Sequence, residues 1–429
     1  MFPIKGKYRY PVCWGKEGNI DMAGPLKGLR VLDLSRILAG PLVGQMMGDL
    51  GAEVIKIERP GKGDDAREMG PPFLSRADGS QSDTAGFFLS CNRNKKSVAI
   101  DITSPVGQDV IRELAAQCDI LIENFKVGTL KRFGLDYASL RVDHPSLIYC
   151  SITGFGQTGP DAPKPGYDGI FQAMSGMMSV SGHPEGVPGG GPMKVGISIV
   201  DILTAYNSST AILAAVHHRQ NSGEGQHIDI SLLDCGVAAL SHFAQNYLIT
   251  GEVPERRGNG GYGGIPSQSF LCADRAIFVV VGNNTQYKRF CDAIARLDLF
   301  EDARFCTGPL RIANRKQLVP ILEDIFSEAP AANWIAALDA AGVPACYVNN
   351  IETAFQEPQV IAREMRREIL HPEAGSLPII ANPLRFSQTP IEDYVAPPGV
   401  GEHGAGVLAE LLSYTGERIE ALRASGVLG

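Results

Sequence analysis

Between Leu29 and Glu58 the chain passes from one apolar run to another across a single short helical segment, and few folds accept that pattern. Leu29–Ser35 reads as a strand, Leu42–Leu50 as a helix ended by Gly51, and Ala52–Glu58 as a second strand. Parallel strands joined in this way predict an open α/β sheet. A second unit follows: strand Ser97–Ile102, helix Pro105–Gln117 with Ser104 as N-cap and Pro105 in its first turn, and strand Asp119–Glu123. Val106, Val110, Ile111 and Leu114 make the inner stripe of that helix, and Leu147–Thr153 supplies a further strand. The turn after the first strand is SRILAGP rather than G-x-G-x-x-G. The dinucleotide fingerprint is therefore absent, although Glu58 ends the second strand where a ribose-binding acid would sit.

Downstream, FGQTGPDAPKPGYDG has the glycines and prolines of an irregular binding loop at a sheet edge. Phe171–Val180 is a short apolar segment of helical character, and the glycine-rich loop Gly182–Pro192 delivers the chain into the helix Val195–Val216. Strand His227–Leu232 and a helix to about Ile249 come next. Gly258–Gly264 holds five glycines in seven residues, which fits a mobile lid or a flexible linker. A hairpin, Ser269–Cys272 with Ile277–Val281, and helices Gln286–Arg296, Lys316–Phe326 and Ala332–Ala341 predict a smaller α/β domain. Pro344–Val348 reads as a returning strand, Ile351–Met365 as a helix, and Gly406–Leu412 and Gly416–Ala424 as two helical pieces of the tail.

The 429 residues, 44% hydrophobic and 20% charged, allow two or three domains. A formal net charge of −8 argues against a broad cationic face, so nucleic acid and anionic membrane are not expected partners. Any anionic ligand has to be held by a local pocket. Nine irregularly spaced cysteines without a C-x-x-C pair fit a reducing, cytoplasmic setting and no zinc site. The first twenty residues lack the apolar core of a secretory signal; residues 1–23 read as a polar extension, with Met22 an alternative start.

Within Val195–Val216 the apolar positions Ile199, Val200, Leu203, Ala211, Ile212 and Ala215 recur at helical spacing, and Asp201 is the one charge. A carboxylate among Ile199, Val200, Ile202 and Leu203 is costly to desolvate, which invites a functional role, although an acid near a helix N-terminus is also stabilised by the dipole. Basic residues gather near strand ends: Arg36, Lys56, Arg59 and Lys62, then Arg93, Lys95 and Lys96, then Asn124 with Lys126, Lys131 and Arg132. Singly each reads as solvated; together they suggest a phosphate-bearing carrier. His217–His218 closes a helix and reads as a solvated C-terminus rather than a metal site.

The segments LKGLRVLDLSRILAGPLVGQMMGDLGAEVIKIERPGKGDDAR, NRNKKSVAIDI, ENFKVGTLKRFG, ITGFGQTGP, GYDGIFQAMSG, SIVDILTAY and AILAAVHHRQNSGEGQHIDISLLD resemble the successive signatures of the class III CoA-transferases of CaiB/BaiF type, from about Leu26 onward. That resemblance implies a Rossmann-like large domain with an open parallel sheet and a smaller α/β domain, in an interlocked homodimer. It divides the chain into 24–225, 226–348 and 349–429 as large domain, linker with small domain, and return to the large domain. It also implies that Asp201 is the nucleophile; that Arg59, Asn124, Phe125, Arg132, Tyr167 and Asp168 lie around CoA; and that Gly260 and Gly261 belong to a glycine lid. CoA would enter as a substrate, with no tightly bound cofactor, and the other partner would be a carboxylic acid. A basic residue near Arg36 or the glycine loop would suit the second carboxylate of an acid such as succinate. The α-methylacyl-CoA racemases also resemble the chain, but they carry a His where Tyr167 stands, and a phenol is a poor base at neutral pH. A non-catalytic CoA-binding scaffold is the other reading, and it leaves Asp201 without a purpose.

Overall fold

The computed structural model describes residues 24–429; the polar extension 1–23, with Cys13 and Met22, lies outside the described residues. Strands β1 (Arg30–Asp33), β2 (Glu53–Glu58), β3 (Lys95–Ala99), β4 (Ile120–Glu123), β5 (Ile148–Thr153) and β6 (His227–Ser231) form a six-stranded sheet in the order β3-β2-β1-β4-β5-β6. Every adjacent pair is parallel. β4 and β5 are buried along their whole length, which is why ILIE and IYCSIT read as continuous runs rather than alternating ones.

Helices cover both faces. On one, α1 (Ala39–Asp49) and α4 (Ile199–Ser222) bury Val43, Met47, Ala205 and Ile212 against Val31, Val54, Ile120 and Ile148. On the other, α2 (Pro105–Ala115) and the C-terminal helices Gly404–Leu412 and Gly416–Ala424 bury Val110, Ile111, Leu114, Leu408 and Leu422 against Leu32, Ile55, Val98 and Leu121. Ser104 caps α2 by accepting from the Gly107 amide, while Val106, expected on the inner stripe, lies in the first turn and is exposed. Helix α1 lies unusually close: a Cβ on Gly44 would fall 2.5 Å from Asp33 Oδ2 and one on Gly40 2.3 Å from Ser35 Cβ. α4 is long and apolar enough to cross a membrane by composition, yet its Thr204, Ser208, Ile212 and Ala215 stripe packs inward on the sheet.

A second sheet, in the order β9-β8-β7, is built from β7 (Ser267–Leu271), β8 (Ala276–Val280) and β9 (Ala345–Tyr347). Helices Asn284–Ala293, Arg315–Ser327 and Ala331–Ala340 close a core over it that contains Phe270, Phe290, Phe326 and Leu338. β6 follows the expected boundary at residue 225 but pairs with β5 in the large sheet. The single helix expected over Ile351–Met365 is two, Ile351–Gln356 and Pro358–Ala362, because Pro358 drives Glu357 out of the helical region to ψ 129°. Two hairpins, Phe73–Ser75 with Gln81–Ala85 and Arg366–His371 with Gly375–Ile380, have no counterpart in the sequence reading.

Buried ion pairs tie the loops after β1 and β2 to the sheet. Lys56, fully buried, sits 2.8 Å from Asp64 and donates to the Ser35 carbonyl at 2.9 Å. Burial pulls its ammonium down, but Asp33, Asp64 and Glu58 outweigh that and hold it above the ordinary lysine value. Lys95 pairs with Asp33 at 2.9 Å, and Arg67 forks onto Glu58 at 2.8 and 2.7 Å. Replacing Lys56 with Met leaves the Asp64 carboxylate buried and unpaired. Urea unfolding of that variant is expected to show a loss of about 3–5 kcal/mol, with part of it restored in Lys56→Met/Asp64→Leu; a single variant as stable as the native chain would contradict the pairing.

Candidate active site

Asp201 occupies the first turn of α4. The preceding Ser198 makes no side-chain cap, and the helix terminus is closed from another element. Asp168, the first residue of α3 (Asp168–Met174), accepts from the Val200 amide at 2.8 Å and from the Asp201 amide at 3.3 Å through Oδ1. Its Oδ2 accepts from Gln172 Nε2 at 2.6 Å, and Gln172 Oε1 in turn accepts the Val195 amide at 2.8 Å. Two carboxylates are thereby held beside one helix end. The side chain of Asp201 has no hydrogen-bond partner among the described residues. Burial, and after it the charge of Asp168, push the Asp201 carboxyl up to about 7. A half-buried acid with free lone pairs and a raised pKa is the chemistry of a carboxylate kept available rather than consumed by an ion pair. Tyr167, the N-cap of α3, is 71% exposed beside it.

In the strand order β3-β2-β1-β4-β5-β6 the direction of winding reverses between β1 and β4, and open α/β sheets bind ligands outside the carboxyl ends of that pair. Arg36 follows β1 there and Asn124 follows β4. Asn124 clasps the Arg36 backbone from both sides, accepting its N–H at 2.8 Å and donating to its carbonyl at 2.7 Å. The Arg36 guanidinium lies 5.1 Å from the Phe125 ring centroid. Arg36 and Arg59 both reach Asp65, so two guanidiniums share one carboxylate and leave net positive charge at the crevice. The turn is fastened from below by Glu123, whose carboxylate accepts the Phe125 amide at 2.8 Å and whose burial pushes it up to about 7. Arg132 is exposed on the turn after β4, in contact with the Phe133 ring at 5.8 Å. α1 starts three residues beyond Arg36 and packs along α4, which joins this crevice to the Asp201 helix.

The glycine-rich segment is fastened at several points. The Gly258 amide donates to the Gly182 carbonyl at 3.0 Å, so the two glycine loops meet. The Gly261 amide donates to Ser267 at 2.7 Å, and Arg315 donates to the Gly261 carbonyl at 3.0 Å. Gly260 is a space requirement: a Cβ there would stand 1.5 Å from Arg315 Nη2.

Not every basic residue singled out from sequence is available to a ligand. Arg93, Lys95 and Lys96 enter the sheet at the start of β3, the opposite end from Asn124, and Arg93 and Lys95 are buried on Asp49 and Asp33. Lys56 is likewise spent on Asp64, while Lys62, Lys126 and Lys131 are exposed. His217 and His218 are exposed, and no cluster of three metal-ligating side chains occurs among the described residues. Glu123 and Gln172 escaped the sequence reading because one sits inside an apolar strand and the other inside a short helix, with nothing local to mark their partners.

Residues 26–404 match CoA-transferase family III. A succinate–glutarate CoA-transferase of Agrobacterium fabrum is 43% identical over 387 residues, 90% of this chain and 96% of the relative. A succinyl-CoA:glutarate CoA-transferase of Homo sapiens is 40% identical over 412 residues, 96% of this chain and 92% of the relative. The crystal structure of a CaiB/BaiF family protein from Brucella suis superposes with a TM-score of 0.81 at 40% identity, covering 91% of this chain and all of that one. Sheet order, crevice and full-length similarity agree, and the chain belongs to CoA-transferase family III.

Proposed function

We propose that this CoA-transferase exchanges CoA between dicarboxylates of the succinate and glutarate kind, through an anhydride formed on Asp201. The single observation that carries the mechanism is the unpartnered Asp201 carboxylate beside the Asp168-capped helix end. The names of the relatives, succinate and glutarate among them, support the substrate class.

The steps follow from conserving the thioester. An Asp201 oxygen attacks the acyl carbonyl, the C–S bond breaks, and CoA leaves as its thiolate, giving an aspartyl–acyl anhydride. For the donor acid to depart as a carboxylate, the thiolate then attacks the aspartyl carbonyl carbon and leaves CoA on Asp201 as a thioester. The acceptor carboxylate attacks that carbonyl, forms the second anhydride and expels the thiolate, which attacks the new acyl carbonyl and restores Asp201. Each step exchanges one activated carbonyl for another, so the barrier is governed by positioning and by exclusion of water. Arg36, Arg59, Asn124 and Phe125 form the CoA cradle in this reading, Arg132 meets CoA further out, and Tyr167 borders the thioester. Asp168 serves by holding the Asp201 amide, and Gly260 and Gly261 by covering the intermediate.

The working species is read as an interlocked homodimer in the cytoplasm, with the small domain carried between two linkers. Support comes from a wide apolar exposure on one chain: helix His242–Thr250 has no buried residue although it carries Tyr247, Leu248 and Ile249, and α4 exposes Tyr206 and Leu213. The eight described cysteines are free thiols, in keeping with a reducing compartment.

Asp201→Asn is expected to abolish transfer while CoA affinity stays within a few-fold, measured by acyl-CoA turnover and by calorimetric titration with CoA; undiminished turnover would refute the role. Because the Asp201 carboxyl is raised to about 7, the attacking form is lost as pH falls through that value. The pH profile of kcat/KM should therefore fall on its acid side near neutrality. In Asp168→Asn, which removes the like charge but keeps an oxygen for the Val200 amide, that limb moves to lower pH. The same shift bears on stability. The folded pKa exceeds the unfolded one, so this group's contribution is present below about pH 4 and lost as pH rises through 7. Asp201→Asn should gain over the native chain from pH 4 to pH 8, reaching about 1–3 kcal/mol once partial exposure is allowed for, and a gain independent of pH would contradict the buried ionisation.

A further inference from the structure

Three guanidiniums surround the glycine-rich loop, and the acids available to them do not match. Arg256 is paired with Glu185. Arg257 and Arg315 have no acid partner among the described residues, although both are half-buried. The Arg257 guanidinium is stacked 4.1 Å from the ring centroid of Tyr262, and that ring is braced edge-on by Phe243 at 4.6 Å. Arg315 reaches the Gly261 carbonyl at 3.0 Å and Gln268 Oε1 at 3.3 Å, both neutral acceptors. Arg257 thus stacks on Tyr262 while Arg315 bonds the carbonyl of the adjacent Gly261, with no acid paired to either among the described residues, and burial, then the charge of Arg257, hold the Arg315 guanidinium below its ordinary value. Keeping like charges together and partly desolvated is unfavourable unless an anion completes the set. Gly260 has no Cβ in the space that Arg315 occupies, so the loop is shaped around this cation.

The loop is also fastened to the chain that leads into the Asp201 helix. Arg256 donates to the His183 carbonyl at 3.1 Å and the Gly258 amide to Gly182 at 3.0 Å, so it sits on the segment that runs from α3 to α4, the helices that carry Asp168 and Asp201.

We propose that Arg257 and Arg315 bind the distal carboxylate of a dicarboxylate whose other carboxylate reacts at Asp201, and so set the preference for dicarboxylic over monocarboxylic acids. This rests on the dicarboxylate reading given above. A guanidinium pair held by a ring on one side and a carbonyl on the other is preorganised for a forked bond to carboxylate. An acid ending in a methyl group leaves the pair as uncompensated as before, which penalises it without any steric exclusion.

The test compares glutarate with pentanoate and succinate with butyrate, each monocarboxylate replacing the distal carboxylate by a methyl group, as acceptors for one acyl-CoA donor. Arg257→Met leaves the Arg315, Gly258 and Ser267 contacts of the loop in place. It is expected to lower kcat/KM for the dicarboxylates at least about tenfold, through KM, with the monocarboxylates unchanged. Arg315→Lys, which keeps charge but loses the fork, should show a smaller loss of the same sign. An unchanged preference in both variants, or equal losses for both kinds of acid, would overturn the inference while leaving the dicarboxylate reading intact. A native enzyme that turns over the monocarboxylates as well as the dicarboxylates would overturn that reading, and the inference with it.

Discussion

The carboxylate of Asp168, bonded to the first free amides of α4, is the contact on which the site depends. A helix N-terminus needs acceptors, and Ser198 supplies none from its side chain, so an acid from α3 closes it. One interaction thus does two things. It fixes the backbone of Asp201, and it brings a second negative charge close enough to oppose ionisation of the first. The Asp201 carboxylate is left without a partner among the described residues because its neighbour has taken the helix end. A hydrogen-bonded or ion-paired Asp201 would be lower in energy and a poorer nucleophile.

Around that centre the structure separates charge matched inside the protein from charge left in excess. Lys56, Lys95, Arg67 and Arg93 are matched with Asp64, Asp33, Glu58 and Asp49 inside the protein, where Lys56 and Arg67 hold the loop after β2 against the sheet and Arg93 ties the entry to β3 to the end of α1. Arg36 and Arg59 share a single acid at the mouth of the β1–β4 crevice, and Arg257 and Arg315 have none among the described residues. Positive charge is therefore left in excess at both places in a chain of net charge −8. Those places suit the two anionic ends of the reaction, a phosphate-bearing carrier and an acid.

The middle of the sheet was legible because β4 and β5 are buried along their whole length and so appear as apolar runs, and β6 because HIDIS alternates, with Ser104, Pro105 and Gly51 marking helix ends where they stand. The two short hairpins were not, since RREILH and QSDTA carry too much charge or too few apolar residues to alternate cleanly. Asp201 could be singled out as a lone acid in an apolar helix. What holds it could not, because Asp168 acts from a different helix and its sequence context, GYDG, looks like loop. Lys56 and Lys95 drew attention as ligands for the same reason that they turn out to be structural: sequence shows a charge at a strand, but burial decides whether that charge faces water or an acid. The bond from Arg315 to the Gly261 carbonyl joins a helix of the smaller core to the glycine loop that carries Arg257, a juxtaposition that only the folded chain creates.

The most direct measurement is to locate the activated carbonyl during turnover. Incubating the protein with an acyl-CoA that it uses, quenching with hydroxylamine and mapping the digest by mass spectrometry should place a hydroxamate on the peptide that contains Asp201, dependent on the acyl-CoA and missing from Asp201→Asn. A hydroxamate on another residue, or turnover that proceeds with none at all, would contradict the account.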